Sequence, residues 1–128
     1  EAVGDENIFI FGLETPEVDA LNAQGYKPWE YYNNSVKIKE TLDFIRTMTV
    51  GGMNFNFIVD YLLTQDNYMC LADFESYVAA QEKVAKTYQN KEKWGQMSLV
   101  NTANAGIFSA DRSVEEYAKD IWNIKKVK

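Results

Sequence analysis

The sequence predicts a mostly α-helical chain with one or two strands. Three observations carry this. Apolar residues recur at spacings of three, four and seven through most of the chain. Residues that start and stop helices separate these runs. A single segment, residues 7–12, reads Asn-Ile-Phe-Ile-Phe-Gly, a continuous apolar run of strand length stopped by glycine.

Continuity in residues 7–12 predicts a strand buried on both faces, as in a parallel sheet. Residues 68–71 are the only other strand candidate, and they are short. The backbone groups of a buried strand need partners on both edges. Those partners are therefore expected on polypeptide outside these 128 residues, or on a second copy of the chain.

The helices follow in order. Thr15, as cap, with Pro16 and Glu17 opens one that runs to Gln24, where Gly25 supplies the left-handed end. Pro28 opens a short one through Trp29, Tyr31 and Tyr32. Ser35 caps a longer one with Ile38, Leu42 and Ile45 on one side, broken at Gly51-Gly52. Asn54 is set to cap the next, with Phe55, Ile58, Val59, Leu62 and Leu63 apolar. Gln65-Asp66-Asn67 is a turn.

Residues 71–88 form the central amphipathic helix, with Asp73 as the expected N-cap and Leu71, Phe74, Val78, Ala85 and Tyr88 facing the core. Asn90 separates it from residues 91–103, which place Trp94, Met97 and Val100 inward up to Gly106. Ser113 and Glu116 fit a capping box for a last helix with Val114, Tyr117, Ala118, Ile121 and Trp122 on one side.

Composition narrows the function. A length of 128 residues suits one domain, and 46% hydrophobic with 25% charged residues is ordinary for a globular chain. The aromatic fraction of 14% predicts a large core or a large buried interface. The formal net charge of −6 argues against a nucleic-acid partner, because phosphate neutralisation supplies most of that affinity. Lys125, Lys126 and Lys128 read as a solvated tail. Cys70 stands alone, so no internal disulfide forms, and its apolar setting predicts an inert buried thiol in a reducing, cytoplasmic compartment. Residues 1–7 are acidic and polar, unlike a signal peptide, and no apolar run nears the ~20 residues that cross a bilayer. Histidine is absent, which removes the commonest acid–base group and zinc ligand.

The remaining chemical candidates are weak. Gly12-Leu13-Glu14-Thr15 lies between a strand and a helix, as a phosphate loop does, but has one glycine and an acid that would repel phosphate. The carboxylate pairs Glu115-Glu116 and Glu17-Asp19 sit near helix starts, where the helix dipole explains them. Trp29-Glu30-Tyr31-Tyr32 could stack on sugar rings, although packing is the stronger reading. Asp111-Arg112 reads as an ion pair pinning a loop. No residue is assigned a catalytic, cofactor or metal role.

Four stretches resemble α-glucan phosphorylases of the glycogen, maltodextrin and starch type, in that family's order and spacing. They are Val3-Gly4-Asp5-Glu6 running into residues 7–12; Gly25-Tyr26 with Tyr31-Tyr32; Ala72-Asp73-Phe74-Glu75-Ser76-Tyr77 with Gln81-Glu82; and Phe108-Ser109-Ala110-Asp111-Arg112-Ser113 with Tyr117-Ala118 and Ile121-Trp122. The segment Met53-Asn54-Phe55-Asn56-Phe57 and Ile107, where a basic residue is common, depart from the pattern.

The resemblance implies that residues 1–128 are one piece, the C-terminal portion of the second, cofactor-binding domain of the parent, a Rossmann-like (GT-B type) α/β domain. It implies a parent glycosyltransferase that moves terminal α-1,4-linked glucose from glycogen or maltodextrin to inorganic phosphate, giving glucose 1-phosphate. The parent would carry pyridoxal phosphate on a lysine outside this chain, pair as a homodimer, and need the remainder of the phosphorylase chain for activity. Neither nucleic acid nor membrane is an expected partner. The competing expectation is an autonomous helical module that binds a peptide.

Overall fold

A computed structural model describes residues 2–124; Lys125, Lys126 and Lys128 lie outside the described residues. The chain divides into two compact units, residues 10–82 and residues 1–9 with 83–128. The mostly helical expectation holds.

In the first unit, α1 (Thr15–Gln24) begins at Thr15, the residue expected to cap it, so the cap moves one residue earlier. Glu14 is the cap, and its own amide donates to the Glu17 carboxylate at 2.8 Å in a reciprocal box. Gly25 ends α1 at φ +84°, as expected. Pro28 opens α2 (Pro28–Asn34). Ser35 caps α3 (Val36–Thr47), its hydroxyl accepting from the Ile38 amide at 3.3 Å. Strands β1 (Thr49–Val50) and β2 (Met53–Asn54) form a two-residue antiparallel hairpin. Gly51 and Gly52 turn it with φ of +59° and +82°, which glycine adopts without steric cost. The Asn54 carboxamide then accepts from the Asn56 amide at 3.2 Å at the start of α4 (Asn56–Thr64).

The core of this unit is Ile38, Leu42, Val59 and Leu71, with Tyr31, Tyr32, Ile45, Leu62, Leu63 and Phe74 packed around it. These are the apolar stripes of α2, α3 and α4 closing on the first turns of α5 (Cys70–Gln89). Arg46 reaches Asp60 at 2.7 Å and ties α3 to α4 at the surface.

In the second unit, a 3₁₀ turn (Asp5–Asn7) packs on α6 (Lys91–Asn104). Asn90 caps α6 as expected, accepting from the Lys93 amide at 3.1 Å. Met97 is buried, while Trp94 and Val100 are half-buried. Phe9 stacks on Trp94 at 6.3 Å, and Tyr88 meets the same indole edge-on at 5.0 Å. Lys83 and Lys91 lie over the Phe9 and Tyr88 rings. The Asn101 side-chain Nδ2 donates to the Asn7 and Met97 backbone carbonyls at 2.8 and 2.9 Å.

Four further expectations are corrected. Residues 7–12 form no strand: Asn7 closes the 3₁₀ turn, and residues 8–11 enter no sheet among the described residues. Ile8 has extended angles, φ −137° and ψ 155°, but a strand is defined by its neighbours, and none lies alongside. Residues 68–71 form no strand either, because Met69 is left-handed at φ +55° and Cys70 already begins α5.

Asp73 is not the cap of the central helix; the helix starts three residues earlier, and Asp66 caps it. The last helix, α7 (Ala110–Glu116), starts a turn before the expected box. Ser109 is its cap, and the Ser113 hydroxyl turns back to the Ser109 carbonyl at 3.2 Å. A π-helical turn (Tyr117–Ile121) follows. Its apolar side is open: Val114, Tyr117, Ile121 and Trp122 are all more than half exposed.

Candidate functional site

The first unit holds two polar nodes, both built around α5. Asp66 is 1% exposed, in a turn with φ +36°. Its Oδ1 accepts from the Cys70 amide at 2.9 Å, and its Oδ2 accepts from the Leu71 amide at 2.9 Å and the Tyr26 hydroxyl at 2.6 Å. Three donors satisfy a carboxylate that burial would otherwise destabilise. Burial and then this hydrogen bond push the Tyr26 phenol well above its ordinary range, so Tyr26 stays a donor.

The second node joins α5 to residues 12 and 13. The Leu13 amide donates to Asp73 Oδ1 at 2.8 Å, and the Gly12 amide donates to the Ser76 hydroxyl at 3.1 Å. This decides the phosphate-loop reading. The two amides that would have to cradle an anion are already held by a carboxylate and a hydroxyl of the same chain. A phosphate there would also meet Asp73.

The other candidates resolve as structure. Glu17 belongs to the α1 capping box. Arg112 pairs with Glu116 rather than Asp111, and its Nε donates to the Ile107 carbonyl at 2.6 Å. Tyr31 packs at a tilt of 55° against Tyr26 with centroids 5.5 Å apart, and the Tyr32 hydroxyl donates to Asp43 at 2.7 Å, so both rings serve packing as well as surface. Trp29 stays exposed. Cys70 is a correction: it is exposed, not buried. Partial desolvation and the neighbouring Asp66 carboxylate raise its pKa, which keeps the sulfur in the unreactive thiol form. No cluster of three metal-ligating side chains, and no helix long and apolar enough to cross a membrane, occurs among the described residues.

Three concavities belong to single units. A cleft of about 590 Å³ lies in the first unit between α2, the start of α3 and the start of α5, lined in part by Glu30, Tyr31, Asn34, Lys37 and Glu75. A pocket of about 270 Å³ is walled by Phe11, Tyr68, Cys70, Phe74 and Tyr77. In the second unit, about 330 Å³ opens beside Phe9, Trp94 and Met97. None brings together a nucleophile, a base and an orienting group.

What the fold and its nodes do not identify, kinship does. The Carbohydrate phosphorylase family matches residues 1–124, and the chain belongs to that family. It is 46% identical over 130 residues to a glycogen phosphorylase of Synechocystis, covering 99% of this chain and 15% of that protein. The liver form of Ovis aries is 40% identical and the human muscle form 34% identical, each over 128 residues that cover 98% of this chain and 15% of the relative. The chain thus spans about 15% of the length of the curated relatives it matches.

Proposed function

We propose that the chain is the C-terminal structural portion of the second domain of an α-glucan phosphorylase. The parent enzyme transfers terminal α-1,4-linked glucose from glycogen or maltodextrin to inorganic phosphate, giving glucose 1-phosphate. One observation carries this reading: kinship to glycogen phosphorylases runs along nearly the whole chain, yet covers 15% of each relative. The physical chemistry agrees. Residues 8–11 are apolar and enter no sheet among the described residues, with Ile10 73% exposed, as expected of a strand of a Rossmann-like sheet whose neighbours lie on other polypeptide.

This reading puts the parent's pyridoxal phosphate on residues outside this chain. Lys37 is the one lysine that lines any of the three concavities, and Glu75 pairs with it at 3.6 Å. The Gly12-Leu13 turn is closed to phosphate by Asp73. In this reading the cofactor lysine belongs to the rest of the parent, a cytoplasmic homodimer, and this chain contributes scaffold.

The test compares two proteins. The 128-residue chain alone should release no glucose 1-phosphate from maltodextrin and take up no pyridoxal phosphate. The product of the complete reading frame should do both. Phosphate-dependent glucose 1-phosphate release by the short chain would overturn the proposal.

A further inference from the structure

The end of the second unit presents an apolar face to solvent. Val114, Tyr117, Ile121 and Trp122, on α7 and the π-helical turn after it, are 52–67% exposed. The wider π-helical turn brings residues five apart together, and the Tyr117 and Trp122 rings lie 6.1 Å apart at a tilt of 48°. Single exposed apolar residues are ordinary, but a cluster of this kind marks a contact surface.

The charges around the face select its cover. Residues 110–116 carry a net charge of −2, from Asp111, Glu115 and Glu116 against Arg112. Residues 117–128 carry +3, from Lys119, Lys125, Lys126 and Lys128 against Asp120. A segment with opposite charge on its two halves is complementary to itself only when a second copy runs antiparallel. A parallel copy would set like charge against like. The apolar spacing has the same symmetry. Val114 and Trp122 stand four positions either side of Ala118. A two-fold axis at Ala118 sets the small Val114 of each copy against the large Trp122 of the other, and the alanine at the centre permits close approach.

We propose that this face is the contact through which two copies of the chain pair, antiparallel about a two-fold axis at Ala118. So few exposed side chains on each copy bury less than the ~1,200 Å² of a stable interface, so the pair is a weak, reversible dimer. Charge and spacing here belong to the chain's own surface, and the inference does not rest on the phosphorylase reading.

Sedimentation velocity over a concentration series tests it, in the full-length Ile10→Lys chain so that residues 8–11 do not pair. Expected is a monomer–dimer exchange that Ile121→Glu weakens about tenfold or more, with helix content unchanged by circular dichroism. Orientation is read by oxidation, after Cys70→Ser removes the native thiol. Ala118→Cys, on the axis, should cross-link two copies. Asp111→Cys, whose two positions lie ~20 Å apart in an antiparallel pair, should not. A chain that stays monomeric throughout, equal association of the Ile121→Glu chain, or cross-linking through Asp111→Cys as fast as through Ala118→Cys would overturn the proposal. So would protection of the Ala118→Cys thiol from alkylation in the product of the complete reading frame but not in this chain at high concentration, which would assign the cover to the parent's own polypeptide.

Discussion

The Leu13 amide and the Asp73 carboxylate meet at 2.8 Å across 60 positions of sequence. Their bond, with that of Gly12 to Ser76, fixes where the apolar run ends against α5. Gly12 has φ +92°, and a Cβ built there would lie 2.8 Å from Asp73 Oδ2. Gly12→Ala should therefore cost ~1–3 kcal/mol, part from the left-handed backbone and part from the displaced carboxylate. Asp73→Ala should cost ~1–2 kcal/mol through the lost charged hydrogen bond. The double variant should be less destabilised than the sum, because removing the carboxylate frees the space that the methyl needs. Urea unfolding of the four proteins measures this; strict additivity would refute the steric part.

Asp66 should be the most sensitive polar position. Tyr26→Phe removes one of its three donors and should cost ~1–2 kcal/mol. Asp66→Ala removes the α5 cap and leaves the Cys70 and Leu71 amides and the Tyr26 hydroxyl unpaired, so ~3–5 kcal/mol is expected. Chemical denaturation of both variants checks the order. A smaller loss in Asp66→Ala than in Tyr26→Phe would show that the node is not a unit.

These two nodes also mark where sequence reading stops. Gly25, Ser35 and Asn90 act within four residues of themselves, so their roles as helix end and caps follow from local pattern. The partners of Asp73 and Tyr26 lie 60 and 40 positions away, and no periodicity reports them. At α7 a strong local signal misled: Ser113 and Glu116 have capping-box spacing, but Ser109 starts the helix one turn earlier, and Glu116 goes to Arg112. Residues 7–12 have strand composition without strand neighbours, so pattern alone could not forecast their state. The family was legible because its motifs are spread over the chain. The cleft beside α2 was half legible: Glu30 and Tyr31 stood out, while Asn34, Lys37 and Glu75 join them only through the packing of α2, α3 and α5.

Alkaline pH should destabilise the first unit through Tyr26. Its folded pKa is raised above the unfolded value of about 10. Below pH 10 both states hold the proton, and the contribution is fully present. Above that, the unfolded chain releases it while the folded chain retains it, so stability falls as pH rises. Cys70, also raised, adds a loss of the same sign beginning above the ordinary thiol range. Unfolding midpoints should decline from about pH 9 upward, and Tyr26→Phe should flatten the steeper, higher part. An unchanged slope in Tyr26→Phe would refute the assignment.

The open apolar run should govern association. Residues 8–11 carry Ile8, Ile10 and Phe11 at 43%, 73% and 48% exposure and enter no sheet among the described residues. An exposed apolar run of strand composition with no sheet neighbour is a template for another strand. The isolated chain should therefore self-associate with rising concentration, through pairing of this run with a second copy. Ile10→Lys puts a charge on the most exposed of the three positions and should shift the chain toward monomer in sedimentation velocity, with helix content unchanged by circular dichroism. In the complete reading frame the same substitution should reduce soluble yield and phosphorolysis together, because there the lysine would be forced into a buried sheet without a counter-charge. A wild-type chain that stays monomeric at high concentration would refute the first expectation. A fully active long product carrying Ile10→Lys would refute the second, and with it the idea that this run is a sheet strand of the parent.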